Sequence, residues 1–125
     1  MYEQLSTLNQ EQMAMIYLLG FRTGSQVLGG ATDVSDHDYV MLQNDYDANF
    51  NFPYSQYGDI FGTSSVKQWF NGNCINILVT ETQAQFDAWV YATETYQTLV
   101  SKPVNKELRI KLFSALREVY LLCKS

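Results

Sequence analysis

The chain has 125 residues, which suits one domain over residues 1–125 and is short for two. Apolar residues make up 46% and charged residues 17%, a composition that supports a packed core and excludes wholesale disorder. The net charge of −5 argues against a general nucleic-acid binder, which needs a basic surface.

Met1 to Ser6 shows neither a basic segment nor an apolar one, so no signal peptide is expected. Residues 3–16 read as a first helix, with Leu5, Leu8, Met13 and Ile16 roughly on one stripe. The apolar run from Ile16 to Thr23 reads equally as the tail of that helix or as a short buried strand. Its most apolar part, Met13 to Leu19, is far shorter than the roughly 20 residues a membrane helix needs. Asp36 to Leu42 reads as a strand, ended by Gln43-Asn44-Asp45. Residues 43–65 are aromatic and polar without a clear period, and are expected to form a functional loop or to hide a short helix. Val66 to Phe70 and Cys74 to Thr80 read as two strands. Asn71-Gly72 joins them as a hairpin, because both residues tolerate the positive φ of a type I′ turn.

Two helices finish the chain. Phe86, Trp89, Val90, Thr93, Tyr96 and Val100 form the core stripe of the first, with Thr82 as its N-cap and Pro103 as its breaker. Leu108, Leu112, Phe113, Leu116, Val119, Tyr120 and Cys123 form the core stripe of the second, with Asn105 as its cap and Arg117 mainly off the stripe. The expected class is α+β, a small mixed β-sheet flanked by helices. Cys74 and Cys123 are too few for a disulfide framework and are expected to be reduced and buried, in a cytoplasmic protein without a membrane. Charge is uneven. Residues 1–101 hold two basic residues against eleven acids, and residues 102–125 hold six against two. A basic last helix of this kind is most simply a solvated face, and otherwise a place for self-association or for an anion.

The chemistry is expected in residues 21–40. On a strand, Asp36 and Asp38 lie two apart and point to the same face, with Cβ atoms roughly 6.6 Å apart. Two such carboxylates can converge on one hard cation. Gly24 allows a bulky anion to approach the backbone, and Ser25 can cap the next turn with N–H groups aimed at a phosphate. Together the two pairs would hold a triphosphate and its Mg2+, which is what phosphoryl or nucleotidyl transfer requires. His37 alternates away from the two Asp, and with the cysteines it has no zinc spacing. Arg22 precedes the Gly-Ser pair and could reach a phosphate, but a surface role is the simpler expectation. Phe50, Phe52, Tyr54 and Tyr57 are expected to pack under a loop rather than to stack on a base. Asp45-Tyr46-Asp47, a second Asp-x-Asp, is expected to be a surface turn.

Gly24-Ser25, ten intervening residues and Asp36-His37-Asp38 resemble the nucleotidyltransferase superfamily of the DNA polymerase β-like fold. Gly29, Ala31, Thr32, Ser35 and Tyr39 are similar to the small stand-alone, antitoxin-like members. Residues 75–94 resemble phage-encoded ones. The resemblance implies a nucleotide site with Gly24, Ser25 and Ser35, a metal on Asp36 and Asp38, and Mg2+ as cofactor. It implies transfer of a nucleoside monophosphate from a nucleoside triphosphate to a hydroxyl, with a protein, a nucleic acid or a small molecule as acceptor. A third carboxylate is expected on a neighbouring strand, and Asn76 stands in its place. An amide ligates magnesium poorly and is no base at neutral pH. Catalysis through Asp36, Asp38 and Asn76 is therefore expected to be slow. A nucleotide-binding or partner-blocking protein without turnover is the alternative, and a homo-oligomeric interaction domain a third.

Overall fold

The computed structural model describes residues 7–29, 36–54, 63–102 and 104–124. The order is α1 (Gln10–Leu19), β1 (Phe21–Thr23), α2 (Ser25–Leu28), β2 (His37–Leu42), α3 (Gln43–Asn49), β3 (Thr63–Phe70), β4 (Asn73–Thr80), α4 (Gln83–Leu99) and α5 (Lys106–Lys124). The fold is α+β, a mixed four-stranded sheet packed against helices. The strands lie in the order β1-β2-β4-β3. β1 runs antiparallel to β2, β2 parallel to β4, and β3 antiparallel to β4.

Local chemistry fixes the ends of these elements. Asn9 and Gln12 form a capping box at the start of α1, which begins later than the expected residue 3; residues 1–6 lie outside the described part. The run from Ile16 to Thr23 divides, with helix to Leu19 and strand from Phe21. Asn71 and Gly72 take φ of 51° and 82°, so the β3–β4 hairpin closes on the two residues that accept this backbone most readily. Thr82 caps α4 in a second capping box. The Asn105 side chain accepts from Leu108 N at the start of α5. Thr7 and Leu8 donate their N–H groups to the Trp69 carbonyl and so tie the N-terminal segment to the edge strand β3.

Alternation along the strands separates two faces. Tyr39, Met41, Ile75, Ile77, Val79 and Val66 form a core with Met13 and Ile16 of α1 and with Tyr46 and Phe50. Each fully buried aliphatic or aromatic side chain there contributes about 1.5–3 kcal/mol relative to exposure. The other face lies under α4. Thr93 donates to the Trp89 carbonyl, and its hydroxyl shares a hydrogen bond of 2.7 Å with Thr23 of β1.

Further expectations need correction. Residues 43–49 form a short helix, one of the two options for that stretch, so Asp45-Tyr46-Asp47 is no surface turn; Tyr46 is buried and stacks on Phe50, with its hydroxyl donating to the Phe52 carbonyl. β3 begins at Thr63 rather than Val66. On α5 the stripe of Leu108, Leu112, Val119 and Cys123 is exposed, while Phe113 and Arg117 are buried. The helix lies at the edge of the fold and turns one flank inward. Cys74 is half-buried and Cys123 exposed, against the expectation that both are buried, and neither is in a disulfide. Among the described residues, no helix is long and apolar enough to cross a membrane.

Candidate functional site

The site lies at one end of the sheet, on the α4 side. β1 ends at Thr23, whose register partner on β2 is Asp38, and Asp38 in turn pairs with Asn76 on β4. Asn76 pairs with Lys67 on β3. These four side chains therefore stand in a row on one face. Gly24 follows Thr23 with a φ of +79° and opens the single turn of α2. A Cβ at Gly24 would stand 1.9 Å from Asp38 Oδ2, so the backbone lies directly against that carboxylate. Asp36, one residue before β2, points its Oδ2 at Lys67 Nζ at 3.1 Å. Asn76 Nδ2 donates to Asp38 Oδ1 at 3.1 Å, while Asn76 Oδ1 is buried with no hydrogen-bond partner among the described residues.

Burial raises the Asp38 carboxyl above its ordinary range. The Asn76 hydrogen bond opposes this, the charge of Asp36 adds to it, and Lys67 and His37 oppose it. Lys67 is held above the ordinary lysine value, first by its hydrogen bond to Asp36 and then by that charge. Cys74 is pushed up to about 11, first by burial and then by its hydrogen bond to Asp36.

A cleft of about 790 Å³ opens in front of this row. Gly24, Ser25, Asp36, Asp38 and Asn76 line one wall. The facing wall is α5, with Lys106, Arg109, Ile110, Phe113 and Arg117. Trp89 of α4 lies between them. It lines the cleft and is half-buried, rather than belonging to the core. Its indole N–H donates to Thr63, and the Arg117 guanidinium sits 4.2 Å from its ring centroid.

The structure thus brings Gly24, Ser25, Asp36, Asp38 and Asn76 to one cleft. Ser35 lies outside the described residues, as does Tyr57. His37 lies on the other face of β2 by alternation, with Nδ1 3.4 Å from the Arg22 guanidinium. Neither residue lines the cleft, nor do Phe50, Phe52 and Tyr54. The α5 cations were legible only as a basic helix. Lys106, Arg109 and Arg117 recur at three and eight residues, a helical face, but nothing in the sequence shows what that face meets.

Among the described residues no cluster of three or more His, Cys, Asp or Glu side chains is disposed to hold a metal. The donors present are nonetheless all oxygen, and one of them, Asn76 Oδ1, is buried without a donor. Magnesium keeps several waters and takes one or two carboxylates together with substrate phosphates, so Asp36 and Asp38 fit it as a shared rather than a closed site. Comparison with protein-family models, with curated proteins and with solved structures finds no match to this chain.

Proposed function

We propose that the cleft binds a nucleoside triphosphate with magnesium and transfers its nucleoside monophosphate to a hydroxyl acceptor, as the nucleotidyltransferase superfamily does. The observation that carries this reading is the contact of Gly24 with Asp38. It brings the Gly-Ser turn against the second carboxylate of Asp36-His37-Asp38, as the sequence motif would need. Asp36 and Asp38 would hold the magnesium, which when bound neutralises phosphate oxygens and the charge of the leaving pyrophosphate. The Asp38 carboxylate fills the space a side chain at Gly24 would take, so the phosphates would lie along the rest of this wall, where Ser25 adds a hydroxyl. The acceptor oxygen bonds to the α-phosphorus, the bond from that phosphorus to the β-bridging oxygen breaks, and pyrophosphate departs. Asn76 takes no proton, so the acceptor proton passes to water, and turnover is slow.

One observation favours a second reading. Asn76 already donates to Asp38 where a third carboxylate would otherwise serve. A protein so arranged would bind the nucleotide without transfer and act through a partner. Incubation with α-phosphate-labelled triphosphate and cell lysate separates the two. Label transferred by the natural chain, lost in Asp38→Ala and raised in Asn76→Asp, supports transfer. Retention of nucleotide with no transfer in either the natural chain or Asn76→Asp supports the binder.

A further inference from the structure

The six basic residues of the last 24 do not share one role. Lys111 pairs with Glu107 on the outer surface at 3.3 Å. Lys106, Arg109 and Arg117 lie instead on the flank of α5 that lines the cleft. Arg109 donates from Nη1 to the Gly29 carbonyl at 2.9 Å, which places it beside the end of the turn opened by Gly24. Lys106 is one helical turn away on the same flank. Arg117 stands about 12 Å further along the axis, buried over Trp89. Asp36 is engaged with Lys67 on the sheet, and Lys106 and Arg109 make no ion pair among the described residues. The cleft therefore holds carboxylates on one wall and cations on the other, in a chain whose net charge is −5.

With Asp36 paired to Lys67, Asp38 is the cleft carboxylate without an ion pair among the described residues, and a ligand that satisfies both walls presents positive charge to it and negative charge to the helix. A metal-bound polyphosphate does this; a neutral metabolite or a simple cation does not. We infer that α5 is the phosphate-binding wall of the cleft. Lys106 and Arg109 take the terminal phosphates of a polyphosphate chain lying between the Gly24 turn and the helix, and Arg117 sets a fixed positive field at the inner end. The inference rests on the nucleotide reading for the identity of the ligand, but its anion-binding component needs no metal.

Calorimetric titration tests it, with inorganic tripolyphosphate and with a nucleoside triphosphate, each in magnesium and in chelator. The natural chain is expected to bind both in chelator, with an affinity that falls steeply with salt. Lys106→Ala and Arg109→Ala are each expected to weaken binding roughly tenfold, and the pair more, as loss of a charge-assisted contact does. Lys111→Ala is expected to leave it unchanged. Because Arg109 also ties down Gly29, Lys106→Glu, at an exposed position, provides a variant whose folding is not at stake. Affinity unchanged in both Lys106→Glu and the double alanine variant would overturn the inference and leave the nucleotide reading standing. Equal binding of tripolyphosphate and triphosphate, indifferent to magnesium and to Asp36→Ala with Asp38→Ala, would sustain the anion wall and sink the nucleotide reading. No binding of either ligand by the natural chain would end both.

Discussion

Gly24 and Asp38 are in contact, with no room for even a methyl group between them: a Cβ on the glycine would overlap the carboxylate, 1.9 Å from Oδ2 and 2.7 Å from Cγ. The positive φ of Gly24 is a second reason for glycine there. Gly24→Ala therefore meets both a strained backbone and a collision with a carboxylate that Asn76 holds in place. The expected loss is about 1–3 kcal/mol of stability, read from urea denaturation, together with weakened nucleotide binding.

Asp38 predicts a pH dependence of stability. Its carboxyl is raised in the folded chain, chiefly by burial, so the native state holds this proton more tightly than the unfolded one. The contribution is fully present below the unfolded value near 3.8 and is lost as pH rises through the raised folded value. Asp38→Asn, which keeps an oxygen for Asn76 to donate to, is expected to stabilise the protein at neutral pH. It should also flatten the stability profile across that acidic window. Thermal melts from pH 4 to 7 on both chains check this; a variant less stable than the natural chain at pH 7 would contradict it.

The two cysteines should react at very different rates. Cys123 is exposed on α5, whereas Cys74 is half-buried with its thiol pushed up to about 11. Since the thiolate is the nucleophile, a disulfide reagent at pH 8 is expected to give one fast thiol and one slow one. Cys123→Ser should remove the fast phase, and Cys74→Ser should leave it.

Tyr46 anchors the helix that follows β2. Its hydroxyl donates to the Phe52 carbonyl at 2.6 Å, and burial pushes its ionisation up to about 12. Tyr46→Phe is expected to cost about 0.5–1.5 kcal/mol, and more if the Phe52 carbonyl is left without a donor. Equilibrium unfolding measures this.

The parts of the fold legible in the sequence are those where local chemistry and tertiary structure agree. Asn71-Gly72 specifies its turn, Thr82 and Asn105 cap the helices they precede, and Tyr39 to Leu42 make a strand in any context that buries them. Residues 43–49 were opaque because Gln43-Asn44-Asp45 has the composition of a turn. Only Tyr46 and Phe50, one helical turn apart, mark its buried side. The apolar stripe of α5 misled for another reason. Periodicity shows that a helix has two faces and not which one meets the core. Here Leu108, Leu112 and Val119 face outward, while a buried Arg117 over Trp89 lines the cleft. Within the site, the motif spacing pointed to the meeting of Gly24 with Asp38. The α5 wall, more than 65 residues further on, had no local signal beyond its charge.

A crystal of the protein grown with manganese and a non-hydrolysable nucleoside triphosphate decides whether this cleft is a nucleotide site. An anomalous peak shared by carboxylate oxygens of Asp36 and Asp38 is expected, at about 2.1–2.2 Å as for a hard divalent ion, with the triphosphate beside Gly24. A nucleotide bound elsewhere, or a cleft free of manganese with Lys67 still joined to Asp36, would contradict it.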